Sequence, residues 1–95
     1  MTTKTYPYGP GRFLETEQDI AEFLDAILET GDPATIADGI GIAARARGMT
    51  QLARDTGLSR ESLYRALDRD GNPEFATVMK VLGALGVRLR ATAAA

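Results

Sequence analysis

The chain contains no cysteine, no histidine and no tryptophan. The lack of cysteine excludes a disulfide framework, and without cysteine or histidine there is no thiolate or imidazole metal site. Lysine is confined to Lys4 and Lys80. General acid–base chemistry would therefore fall to carboxylates on a helix face or to two isolated amines, and no glycine-rich phosphate loop follows a strand. Every role an active site needs lacks a candidate, so we expect no catalysis and no cofactor. No apolar run approaches the roughly 20 residues that span a bilayer. The N-terminal MTTKTYPYGPG also lacks the apolar core of a signal peptide. These absences point away from membranes and toward a cytoplasmic protein. What remains is 95 residues, enough for one domain (1–95) with a modest core and no staples.

Net charge is −2, and it is unevenly spread. Residues 1–41 hold Lys4 and Arg12 against eight acids, whereas residues 42–95 hold nine Lys/Arg against five acids. The basic half attracts phosphates and the acidic half is repelled by them. Two partners of opposite charge are one explanation of this asymmetry. An ordinary solvated acidic helix face is the other.

In chain order, residues 1–14 form an arm in which Pro7, Gly9, Pro10 and Gly11 forbid a regular helix through Pro10. Tyr6, Tyr8, Phe13 and Leu14 suit it to docking on the body or on a partner. Thr16 and Asp19 make a shortened capping box for a first helix. Its apolar face is Ile20, Phe23, Leu24, Ile27 and Leu28, and Gly31 is its stop. Asp32-Pro33 opens a second helix as N-cap and N1, which carries Ile36, Ile40 and Ala43 inward and ends at Arg47-Gly48. Gly39 and Gly41 lower its propensity by about 1 kcal/mol each; either a neighbour packs closely there or the helix is weak. Farther on, Asn72-Pro73 reads as another cap and helix start, with Phe75, Val78, Met79, Leu82 and Leu85 as the buried stripe and Gly86 as the stop. Val87-Arg88-Leu89-Arg90 has the period of a half-buried strand within the 87–95 tail. A lone strand needs a partner, either the arm or the same segment of a second copy.

Between these lies Met49–Leu67, MTQLARDTGLSRESLYRAL. Thr50 and Ser59 are candidate N-caps of two short helices. Gly57 suits the sharp turn between them because positive φ costs glycine little. Small Ala53 permits a close helix crossing, Leu58 ties the turn to the core, and Leu63, Ala66 and Leu67 form the second helix's apolar stripe. This is the pattern of a helix-turn-helix, whose second helix enters the DNA major groove. The competing reading is a helical hairpin that only packs.

The run from Gly31-Asp32-Pro33 through ARARGMTQLARDTGLSRESLYRAL to DGNPEFATVMKVLGALGVRL resembles the antidote proteins of bacterial toxin–antitoxin (addiction) modules that carry a Cro/C1-type helix-turn-helix. The resemblance covers roughly residues 6–90, and the arm departs from it, since relatives tend to have a short acidic helical turn there. It implies an all-α, five-helix domain of the lambda repressor/Cro type, with a short N-terminal arm and a short C-terminal strand. It also implies an antitoxin that neutralises a small basic RelE/ParE-type toxin and represses its own operon.

On the second motif helix, Arg60 stands near the N-terminus that enters the groove and suits bidentate contact to guanine. Ser62 can reach a base edge or phosphate, and Tyr64 a phosphate or a thymine methyl. Arg65 and Arg69 suit phosphates. Thr50 and Gln51 can hold a phosphate at the N-terminus of the first motif helix, and Ser59 caps the second. Glu61 either accepts from cytosine or only favours the helix dipole. Short single motifs usually act as pairs on a pseudo-palindrome, so a homodimer on operator DNA is expected, joined through the helix from Pro73 to Leu85 or through Val87–Arg90. For the toxin, the candidates are Glu17, Glu22, Asp25 and Glu29 as an acidic face, with Tyr6, Tyr8 and Phe13 as aromatic anchors. A phage-type or metabolic repressor without a toxin, and an interaction module without DNA binding, are the alternatives.

Overall fold

A computed structural model describes residues 14–94, and these form five α-helices with no strand among them. The helices are α1 (Glu17–Leu28), α2 (Pro33–Arg47), α3 (Met49–Thr56), α4 (Arg60–Ala66) and α5 (Phe75–Ala84). α2 packs against α1 and α3, and α3 packs against α4 and α5. The expected aromatic anchors Tyr6, Tyr8 and Phe13 lie outside the described residues.

Local chemistry sets most of the helix ends. The Thr16 hydroxyl accepts from the Asp19 backbone N–H at 3.0 Å, and the Asp19 carboxylate accepts from the Thr16 N–H at 3.1 Å, which completes the expected capping box. Asp32 caps α2 by accepting from the Thr35 N–H at 2.9 Å and its hydroxyl at 2.6 Å, with Pro33 at the first helical position. These bonds, the hydroxyl's first, and the positive charge of Arg69 hold the Asp32 carboxyl below its ordinary value.

α2 is the spine of the core because its buried face is made of small residues. Ala37, Gly39, Ile40, Gly41, Ala43 and Ala44 are buried. A Cβ on Gly39 would come within 2.8 Å of the Ile27 side chain, and one on Gly41 within 2.7 Å of the Leu67 carbonyl oxygen. Both glycines therefore sit at close approaches, to α1 and to the end of α4. Around this spine Leu14, Ile20, Leu24, Met49, Leu52, Leu63, Leu67, Val81, Leu82 and Leu85 complete one apolar cluster.

Four expectations are corrected. Thr50 does not cap α3: the helix already starts at Met49, its N-cap is Gly48, and no side chain caps it. α5 starts at Phe75 with Glu74 as N-cap, not at Asn72-Pro73. Gly71 is pressed onto the end of α4, where a Cβ would meet the Arg65 and Ala66 carbonyls at 2.7 Å. The chain must first run clear of that helix end before a new helix can begin. The buried stripe of α5 is also rotated. Val78, Val81, Leu82 and Leu85 face the core, leaving Phe75 71% and Met79 41% exposed. The helix is apolar nearly all round, so spacing alone does not choose its inner face. Finally, Val87–Arg90 is not a strand, since a strand needs a hydrogen-bonding neighbour and the described residues supply none.

Candidate nucleic-acid interface

The α3–turn–α4 unit is held by side-chain hydrogen bonds that its sequence supplies. The Thr56 hydroxyl donates to the Leu52 carbonyl at 2.7 Å and accepts from the Leu58 N–H at 3.2 Å. Gly57 follows at φ +78°, the left-handed conformation that glycine adopts without a Cβ penalty. Leu58 then turns back onto the core. The Ser59 hydroxyl accepts from the Ser62 N–H at 3.0 Å, confirming the expected cap. A seven-residue helix is far too short to persist alone. Leu63 and Leu67, both within a few per cent of complete burial, hold α4 in place.

That anchoring turns the other side of α4 outward. Arg60, Glu61, Tyr64 and Arg65 are exposed, as is Arg69 just beyond the helix. Arg60 and Tyr64 lie one turn apart on one row, and Glu61 and Arg65 on the next. Ser62 is half-buried, and its oxygen accepts from the Ser59 hydroxyl at 2.9 Å. Its own O–H is left to donate. Arg65 and Tyr64 share a shallow concavity with the carboxylates of Glu61, Asp68 and Asp70, so Arg65 is less isolated as a cation than Arg60. Arg69 lies within electrostatic reach of Asp32 at the start of α2.

On α3, Thr50 and Gln51 are exposed, and the Gln51 amide donates to Asp55 at 2.9 Å. Arg54 is exposed on the same face, one turn from both Thr50 and Gln51. It is absent from the expected DNA-contacting set, although its spacing of four and three residues from Thr50 and Gln51 marks it in the sequence. The unit thus exposes Thr50, Gln51 and Arg54 on α3, and Arg60 and Tyr64 on the α4 that packs against it. Glu22, Asp25 and Glu29 are exposed on α1 and its C-cap, elements separate from α3 and α4. Among the described residues no cluster of three or more carboxylates could hold a metal ion, and no helix is long and apolar enough to cross a membrane.

These observations define an all-helical protein with a short outward helix on a glycine-capped turn and a separate acidic helix. The chain belongs to the family described as probable addiction module antidote protein, whose model matches residues 4–93. It is also 43% identical over 90 residues to an "Uncharacterized protein" of Haemophilus influenzae (strain ATCC 51907 / DSM 11121 / KW20 / Rd), covering 95% of this chain and 93% of that one. No solved structure matches it. Membership in an antidote family implies a toxin as partner.

Proposed function

We propose that the protein is an antitoxin that represses its own operon through a Cro/C1-type helix-turn-helix formed by α3 and α4, and that neutralises a RelE/ParE-type toxin. The observation that carries the DNA reading is the division of α4. Leu63 and Leu67 are locked in the core while Arg60, Tyr64 and Arg65 project from it. Arg60, beside the Ser59 cap, is the base-reading residue, and Ser62 and Tyr64 flank it. Arg65, Arg69, Thr50 and Gln51 hold phosphates and set register. The protein acts in the cytoplasm by binding alone, with no catalytic step.

Two copies bind a pseudo-palindromic operator. The exposed Phe75 and Met79, one turn apart on α5, supply an apolar contact between them. On the toxin side, the acidic face of Glu22, Asp25 and Glu29 meets a basic toxin surface, with the arm residues Tyr6, Tyr8 and Phe13 as additional anchors. The family membership favours this reading over a repressor that has no toxin.

The test is quantitative binding to a duplex of the gene's own upstream region. Arg60→Ala is expected to weaken it by about 1–3 kcal/mol and to relax preference at one base pair. Arg69→Ala is expected to weaken all duplexes alike and to flatten the salt dependence by about one phosphate contact. An Arg60→Ala protein with unchanged affinity and unchanged sequence preference would refute α4 as the reading helix.

A further inference from the structure

A groove of about 530 Å³ runs between α1 and the irregular segment that follows α5. Leu24, Leu82 and Val87 form its apolar floor. The Val87 N–H donates to the Leu82 carbonyl at 3.0 Å, which fixes the near end of that wall to α5. The lips are Leu28 and Leu89, exposed by 40% and 39%. Glu22 and Asp25 edge the groove on the α1 side, and Arg88 and Arg90 on the other.

The volume would suit a small molecule, but such sites fix their ligand with a few polar groups inside an apolar pocket. No polar or charged side chain is buried among the described residues. An apolar floor with apolar lips and a charged rim is instead the anatomy of a protein-docking surface. Charge indicates which protein. On the rim Glu22 and Asp25 are matched by Arg88 and Arg90, but α1 has no basic residue, and the exposed Glu17 and Glu29 beyond the rim on α1 and its cap leave an excess of carboxylates. A second copy would bring a further acidic α1 against this one, whereas a basic partner meets that excess with opposite sign. None of the lining residues belongs to α3 or α4, so the occupant leaves the nucleic-acid face uncovered.

We propose that this groove is the toxin-docking site and that it takes an amphipathic segment of the toxin, apolar side between Leu28 and Leu89 and basic flank along α1. The proposal rests on the antitoxin reading and assigns the anchor of that interaction to leucines of the described body. Leu28 and Leu89 are lip residues, so their replacement disturbs the contact before it disturbs the core.

The probe is the protein encoded by the adjacent gene, with its affinity for the full chain measured at several salt concentrations. Leu28→Asp and Leu89→Asp are expected to weaken binding at least ~10-fold, with thermal unfolding of the free protein still cooperative. Asp25→Lys is expected to slow association most at low salt, and Ala76→Ser at an exposed position of α5 to leave the affinity unchanged. Wild-type affinity in both leucine variants would overturn the groove while leaving the antitoxin reading intact. So would retained toxin affinity with a fall in the free protein's mass from dimer to monomer, which would make the groove an interface between copies. If the wild-type chain does not bind the probe at all, the antitoxin reading fails and the groove proposal fails with it.

Discussion

Three glycine-to-alanine substitutions separate the demands of helix propensity from those of packing. Gly41, Gly39 and Gly83 all lie inside helices, where alanine is favoured over glycine by about 1 kcal/mol. At Gly83 nothing lies within 4 Å of the added methyl, so Gly83→Ala is expected to stabilise by about 0.5–1 kcal/mol. At Gly39 the methyl would meet Ile27 Cγ2 at 2.8 Å. Ile27 is only half-buried, and a small shift of α1 relieves the contact, leaving a net change within about 1 kcal/mol of zero. At Gly41 the obstacle is the Leu67 backbone carbonyl at 2.7 Å, which cannot rotate aside without moving the end of α4. The overpacking cost there lies toward the upper part of the usual range of about 1–3 kcal/mol. After the propensity gain, Gly41→Ala should be less stable by about 1–2 kcal/mol. In a domain of this size each kcal/mol moves Tm by roughly 4–8 °C. Urea and thermal unfolding of the three variants should therefore rank Gly83→Ala above wild type and Gly41→Ala lowest. A Gly41→Ala protein as stable as wild type would show that α2 and the end of α4 do not touch as described.

Removing the α4 cap by Ser59→Ala should cost about 1 kcal/mol, whereas Thr50→Ala, which removes no cap, should leave the unfolding midpoint essentially unchanged; equal losses in the two would restore Thr50 as a cap. Asp32 has a folded-state carboxyl held below its ordinary value, chiefly by Thr35 and then by Arg69. The stability it contributes is thus present above its unfolded-state pKa and is lost as pH falls through its folded-state pKa. Asp32→Asn keeps a capping acceptor but cannot titrate there. Its midpoint should fall below that of wild type near neutrality and converge on it at acid pH, and a constant gap across the acid range would contradict the linkage.

What the sequence determined by itself is the part set within a few residues of chain. The Thr16–Asp19 box, the Asp32-Pro33 start, the turn at Gly57 and the Ser59 cap are each made by neighbours three or four positions apart, and each stands where its spacing put it. The outward position of Arg60 and Tyr64 was legible for the same reason, because Leu63 and Leu67 could only face inward. The tertiary structure decided whatever depended on a distant surface. It chose Val81 over Phe75 as the inner face of α5, since an all-round apolar helix is oriented by what it packs against. It delayed the start of that helix through the pressure of Gly71 on the end of α4. It made Gly39 and Gly41 contact points rather than weak spots, by setting Ile27 and the Leu67 carbonyl against them. And it set Val87–Arg90 beside α1 as a groove wall rather than a strand, because alternation along a chain does not create the neighbouring backbone that a strand requires.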